Sequence, residues 1–494
     1  MTEPGFPDMY VSYPPDLLYA VTPGYSLAQG QLADTLPLVS LRQNRLSGPS
    51  LDPPNYADAM IATGYERAAE RYADLLGRSR ALVKKASQLL SLVHLPPAGA
   101  SEHEAFYRSV LSGCSEETPS MPAGLAADLA ETEFDMPLHE VFIEFDPHPI
   151  ASASIGQVHA ARLVDGRDVA VKIQYPGVEQ AIRADLRNGE LLAAFLRLGC
   201  GTTCVQADVP AIARELSARI AEEIDYRVEA ANQQAFASAY RDHPLIRIPE
   251  IVPELCSARV LTMDLSDGMC WGRARMAPAR LRNRWSEVIY RFSVGSLTRL
   301  GMLNADPSPR NFLFHTDGAV TFLDFGCVRR YLAPQVRTIQ ELMRGIMDGD
   351  AGHLLDVVTE AGYVDLADPP DAEDLMAWLR EAHAPVVDQQ PYTYSSDFAA
   401  ALCGSQLARR GRYAQVIRQL RIPADFLAVI RVYLGVTRVL AGLGATGNWA
   451  AIHREYCQAA PALGRSGPAS RASSHGSAAA PGSAAAPGAA TTAE

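Results

Sequence analysis

Asn304-Ala-Asp306-Pro-Ser-Pro-Arg-Asn311 is followed, thirteen residues after Asn311, by Asp324-Phe325-Gly326 at the end of the run Val320-Thr-Phe-Leu323. The first segment has the Asp-x-x-x-x-Asn spacing of a phosphotransfer loop. There the aspartate takes a hydroxyl proton or positions the nucleophile, and the asparagine holds a metal. An aspartate at a strand end, just before a turn glycine, is placed to chelate Mg2+ bridging phosphates. Taken singly, Asp306 reads equally well as a turn or helix cap, and Asp324 as a turn residue.

A third element lies upstream. Only three of the 44 basic residues are lysine, namely Lys84, Lys85 and Lys172. A chain that otherwise uses arginine keeps lysine where a compact ammonium is wanted. Lys172 ends Val169-Ala-Val-Lys, after an Asp165-Gly166 hairpin turn. A lysine so placed can pair with the phosphates of ATP and with a glutamate of the next helix. Val-Ala-Val-Lys by itself also fits an exposed strand end. The weight comes from the order: lysine, Asp-x4-Asn, Asp-Phe-Gly, each beside a strand.

The remaining motifs are weaker. Glu223-Ile-Asp225-Tyr-Arg-Val-Glu229 lies in a helical pattern over 210–240, where Asp225 and Glu229 share one face and Glu223 points elsewhere. A plain amphipathic helix with a Glu223–Arg227 pair reads the same way. Lys85 and Gln88 lie three apart on a helix over 65–93 carrying Leu75, Leu82, Ala86, Leu89 and Val93 on one face. A solvated lysine pair is the plain alternative. Ala151-Ser152-Ala153-Ser154-Ile155-Gly156 supplies small residues that let a backbone approach phosphates, or a generic small-residue turn. Val252–Leu265 reads as one strand, with helix beyond about residue 335.

Together these residues resemble the UbiB/AarF-type family of atypical protein-kinase-like proteins over about residues 65–450. The resemblance implies an α+β, two-lobed protein-kinase-like fold with an N-terminal helical extension. It further implies ATP and Mg2+ as cofactors, with Asp306, Lys172 and Glu229 catalytic. Asn311 and Asp324 would hold the metal. Ala151–Gly156 and Lys172 would hold the nucleotide, with Met263 and Leu265 near the adenine. Lys85 and Gln88, from a Lys-x-Gly-Gln-like motif, would meet Glu223 and Asp225. The family's loop reads His-Ala-Asp-Pro-His-Pro-Gly-Asn. Here Asn304, Ser308 and Arg310 replace both histidines and the glycine, and Ser87 replaces a glycine, which marks a divergent member. No Ala-Pro-Glu follows Asp324-Phe-Gly, leaving little room for a peptide-docking segment. That fits an ATPase or a small-molecule or lipid phosphotransferase supporting isoprenoid-quinone or related lipid metabolism. A nucleotide-binding pseudokinase switch and a kinase of the aminoglycoside-phosphotransferase type are the alternatives.

The rest of the chain sets bounds. It has 494 residues and a net charge of −12, which argues against nucleic acid as a partner. Eight cysteines in a chain this long suggest no disulfide framework, and a cytoplasmic setting follows. No basic start with an apolar run opens the chain, as a secretion signal would. Phe426 to Gly447 is the longest apolar run, but Arg431 and Arg438 interrupt it, so the expectation is no membrane span, with peripheral membrane contact and a lipid or quinone-precursor ligand allowed. Expected units are a proline-rich arm 1–55, a helical extension 56–130, a small lobe 131–265, a helical lobe 266–462 and an Ala/Gly/Ser/Pro tail 463–494.

Overall fold

The computed structural model describes residues 121–153, 155–187, 224–404, 412–423 and 425–458, with Ser217 and Glu222. Lys85, Gln88, Ser154 and Glu223, the arm and the tail lie outside the described residues.

The small lobe is built on one antiparallel sheet. Its strands are β1 (Phe142–Ser152), β2 (Gly156–Leu163), β3 (Asp168–Gln174) and β5 (Val260–Asp264), in the order β1-β2-β3-β5. β2 and β3 pair without a slip, from Gly156 opposite Gln174 to Arg162 opposite Asp168. The turn between them passes through Gly166 at φ +90, a conformation that favours glycine. Side chains of β3 alternate between two faces. Val169, Val171 and Ile173 pack with helix α1 (Ala123–Phe134). Ala170 lies on the opposite face with Tyr226, Leu261 and Met263, and Lys172, two residues on, shares its side. The period of two therefore delivers the lysine to the cleft side of the sheet.

Helix α2 (Tyr226–Tyr240) crosses that side and runs on into the second lobe. Tyr226 and Ala230 belong to the sheet core, whereas Phe236 belongs to the core of the helical lobe. The two-residue β4 (Ile246–Arg247) runs parallel to β8 (Val320–Phe322), which also pairs with β7 (Phe312–Phe314). Helix α3 (Ala279–Leu300) ends at Gly301, whose φ of +62 closes a left-handed cap. β6 (Met302–Asn304) follows, antiparallel to β9 (Val328–Arg330). The lobe is completed by α4 (Ala333–Asp348), α5 (Ala372–Ala382), α6 (Phe426–Leu443), α7 (Trp449–Gln458) and shorter helices. Its core centres on Trp285, Phe314, Phe322, Phe325 and Trp449.

Three expectations need correction. The small-lobe boundary near residue 130 falls inside α1, because Ala126 and Ala130, one turn apart, are buried against the sheet. Val252–Leu265 is not one strand: a 3-10 turn occupies Pro253–Leu255, where proline's fixed φ favours a turn over ladder bonding, and only Val260–Asp264 is extended. The helix expected across 210–240 does not run through Asp225, which caps α2 by accepting from Arg227 N. Asp225 thus sits outside the helix and shares no helical face with Glu229. The expectation of no membrane span turns on α6, which is long and apolar enough to cross a bilayer by length and composition, with a mean hydropathy of 1.7. Half of that window is buried, and Val432, Val436, Val439 and Leu440 pack in the helical-lobe core, so the fold uses it as a core helix.

Three histidines, His159 and His453 buried and His383 half-buried, give the fold a pH signature. Burial lowers His159, His383 and His453, the last to about 3. The unfolded chain takes up protons near pH 6.5 where these histidines do not, so stability rises with pH in that window and levels off above it. Each contributes a slope of up to about 1.4 kcal/mol per pH unit below the unfolded pKa. Urea unfolding at pH 7, 6 and 5.5 should show the decline, and His453→Gln should reduce its slope. An unchanged slope would show that His453 takes up its proton in the folded protein.

Candidate nucleotide site

Lys172 is the centre of the site. Its Nζ donates to Glu229 Oε1 at 2.7 Å and Oε2 at 2.9 Å, and lies 3.8 Å from Asp324 Oδ2. It also sits 5.0 Å from the centroid of the Tyr226 ring. Lys172 and Glu229 are almost fully buried, while about a third of Asp324 is exposed. Burial alone would lower the Lys172 pKa, but Asp324 and Glu229 outweigh it and hold the ammonium above its ordinary value. The result is a permanent cation facing the cleft. Burial holds the Tyr226 hydroxyl protonated well above the usual tyrosine range.

The acidic loops reach this cation through backbone stitching. Asn304 pairs with Val328 across β6 and β9, Ala305 N donates to Cys327 O at 2.7 Å, and Leu323 N donates to Asn311 O at 2.8 Å. The Asp306 and Asp324 loops therefore lie side by side. Asp324 has φ +61, in the left-handed region that a non-glycine residue rarely adopts, and Gly326 N donates to its Oδ1 at 3.2 Å. Phe325 is fully buried, packs 5.0 Å from Phe236 and accepts from Asn232 Nδ2 through its carbonyl. That buried ring anchors the turn and holds the strained aspartate toward the lysine.

Asn304 links the two loops. Its Nδ2 donates to Asp324 O at 3.0 Å and its Oδ1 accepts from Asp306 N at 3.2 Å. An asparagine in the place of the family's first histidine thus still ties both loops. Arg310 lies exposed in a 3-10 turn over Pro309–Asn311, with no left-handed backbone that a glycine would be needed for. Asn311 Nδ2 donates to Asp306 O and Oδ2 at 3.2 and 3.1 Å, which leaves its amide oxygen as an acceptor. Among the described residues no cluster of three or more His, Cys, Asp or Glu could hold a metal by itself. One carboxylate and one amide oxygen suit Mg2+, which keeps waters and takes further ligands from phosphates.

The small-residue stretch is shorter as a loop than its composition implies. Ala151 and Ser152 end β1, paired with Val158 and Gln157, and are exposed. Ile155 is buried in the sheet core and Gly156 already belongs to β2. A Cβ on Gly156 would lie 2.2 Å from Ile173 O, so this glycine permits close strand packing. Met263 is buried on β5 and accepts from Gln233 Nε2 through sulfur, while Leu265 follows the strand, its N donating to Asp168 O. Asp225 is taken up by Arg227, at 2.7 Å. Lys172, Glu229, Asp306, Asn311 and Asp324 are thus brought to one cleft. Arg431 also enters the site, donating to Asp306 Oδ1 at 2.9 Å; its only sequence signal was a charge inside an apolar run.

The ABC1 atypical kinase-like domain matches residues 114–358, which include every one of these residues except Arg431. The chain belongs to the UbiB/AarF-type atypical kinase-like family. It is 31% identical over 294 residues to the rat mitochondrial atypical kinase COQ8B, covering 59% of this chain and 53% of the relative. It is 28% identical over 328 residues to the chloroplastic Activity of bc1 complex kinase 1 of Arabidopsis thaliana, covering 64% and 47%. The chain spans about half the length of these curated relatives. Among solved structures it is similar to Rv3197 of Mycobacterium tuberculosis, determined with erythromycin: TM-score 0.58, 28% identity, covering 82% of this chain and 99% of that one. The two-lobed kinase-like fold of the family is the fold described above.

Breaking the buried pair should cost more than replacing it. Glu229→Ala, which strands a buried ammonium, should destabilise by about 3–5 kcal/mol, and the double variant Lys172→Met/Glu229→Leu by much less. Equilibrium urea unfolding compares them. Equal losses would show that the stranded ammonium itself costs nothing.

Proposed function

We propose that this chain binds ATP with Mg2+ between its lobes and carries out phosphotransfer or ATP hydrolysis in support of isoprenoid-quinone or related lipid metabolism. The observation that carries this is the Lys172 ammonium, held by both oxygens of Glu229 and 3.8 Å from Asp324. In this reading Lys172 holds the phosphates, and Glu229 orients Lys172. Asn311 and Asp324 hold Mg2+, which would neutralise charge on the transferring phosphoryl group. Asp306 positions the attacking hydroxyl or water and accepts its proton as the bond to phosphorus forms and ADP departs. The Ala151–Gly156 turn covers the phosphates, and Met263 to Leu265 lie beside the adenine. Lys85 and Gln88 of the extension would reach Glu223 and Asp225.

The quinone and lipid part rests on the family resemblance, with support from an apolar cavity of about 250 Å³ inside the helical lobe. Leu297, Leu303, Val358, Leu375, Trp378 and Ile430 are among its lining residues. None of Lys172, Glu229, Asp306, Asn311 and Asp324 lines this cavity, so it suits an apolar ligand rather than nucleotide. A reducing cytoplasmic location with peripheral membrane contact belongs to the same proposal. The pseudokinase reading has one specific observation in its favour: both oxygens of Asp306 are engaged, by Arg431 and by Asn311.

Two measurements bear on this. Millimolar MgATP should raise the melting temperature, increasingly with concentration, and Asp324→Asn should remove most of the Mg2+-dependent part. No shift in a folded sample would refute nucleotide binding, whereas a shift with no phosphate release, unaltered by Asp306→Asn, would establish the pseudokinase reading. A short-chain isoprenoid quinone should likewise stabilise the wild-type chain but not Val358→Trp, which fills the cavity. Equal stabilisation of both would place the lipid elsewhere.

A further inference from the structure

Helix α6 carries a guanidinium where its neighbours are apolar. Val429, Ile430 and Val432 flank Arg431, whose side chain is only 11% exposed. Its Nη2 donates to Asp306 Oδ1, and its Nε is buried without a hydrogen-bond partner among the described residues. Burying a charged fork this way costs free energy unless a charged partner is held in return. One turn further, on the same face, a Cβ on Gly435 would lie 2.4 Å from Pro307 Cγ, so the helix backbone and the Asp306 loop are in direct contact. At the helix start, the Asp425 carbonyl accepts from Tyr331 hydroxyl at 2.9 Å and its carboxylate accepts from Gln335. A single helix therefore grips the Asp306 loop at two consecutive turns, and the segment after Asp324-Phe-Gly at its first.

We propose that Arg431 is a positioning residue for Asp306. It holds Oδ1, so that Oδ2, braced by Asn311, is the oxygen presented to the attacking hydroxyl or water. Gly435 lets the helix come close enough for the arginine to reach. This inference rests on the turnover reading given above and assigns that site a support from outside the matched kinase-like segment, 125 residues away along the chain.

The test is MgATP hydrolysis by the full chain and by Arg431→Met, Arg431→Lys, Gly435→Ala, Asp306→Asn and the double variant Asp306→Asn/Arg431→Met. Misplacing a reacting group costs up to about 100-fold, so Arg431→Met should lower kcat by about 10-fold or more while KM for MgATP stays within about twofold. Arg431→Lys, which keeps charge without the fork, should recover part of the rate. Gly435→Ala should lower kcat with KM unchanged. In the Asp306→Asn background, Arg431→Met should add less than about twofold, because the two act as one unit. An equal loss from Arg431→Met in both backgrounds, or a loss expressed in KM alone, would overturn the assignment. Arg431→Lys and Gly435→Ala decide the matter if Arg431→Met does not fold: unchanged kcat in both overturns it. A wild-type chain that binds MgATP and releases no phosphate overturns the turnover reading and this role together. Turnover that none of the Arg431 and Gly435 variants alters overturns the role alone.

Discussion

The buried ion pair between Lys172 and Glu229 is the constraint on which the site depends. Neither ion is tolerable alone at such depth, so the sheet that carries one and the helix that carries the other must dock in one register. That docking sets the floor of the cleft. Tyr226, at the first turn of the same helix, packs under the ammonium and seals it from below. With two partners already on Glu229, the remaining attraction of the lysine is directed at Asp324 and at any anion that enters beside it.

The acidic side of the cleft is held by backbone as much as by side chains. Pairing of β6 with β9 places the two loops in contact, and the buried Phe325 ring fixes the left-handed turn at Asp324. Side chains at Asn304 and Asn311 then tie the loops at their tips. This division shows how the loop is held with Asn304, Ser308 and Arg310 in place of the family's residues. Asn304 still offers one donor and one acceptor of the right reach, and Arg310 occupies an unstrained turn facing outward. Among the described residues Ser308 makes no side-chain hydrogen bond that would assign it a comparable task, and nothing in the structure explains it.

Much of this was legible in the sequence, for local reasons. The alternation of β2 and β3 and the Asp165-Gly166 turn specify a hairpin, and the hairpin specifies the side on which Lys172 emerges. Asp324 alone reads as a turn residue, and it stands out only through its order after Lys172 and the Asp306–Asn311 spacing. The errors came where local signals compete. Asp225 continues an acidic, helix-like pattern, yet aspartate is also a strong N-cap, and the cap prevailed. Pro253 broke a run that hydrophobicity alone would have extended. Arg431 was beyond reach altogether: it meets Asp306 across 125 residues, and no periodicity reports a contact over that distance. In a linear reading it only spoiled a membrane span.

Helix α2 shares its first turn with the sheet core and its later turns with the core of the helical lobe. An element owned jointly in this way acts as a common axle. The lobes cannot part along it without exposing Phe236 or Tyr226, so they should melt in one step rather than as two modules. A fragment cut after residue 265 would carry α2 whole but leave Phe236 without the core it packs in. The dividing line drawn through such proteins describes where a ligand enters, not where the chain could be separated.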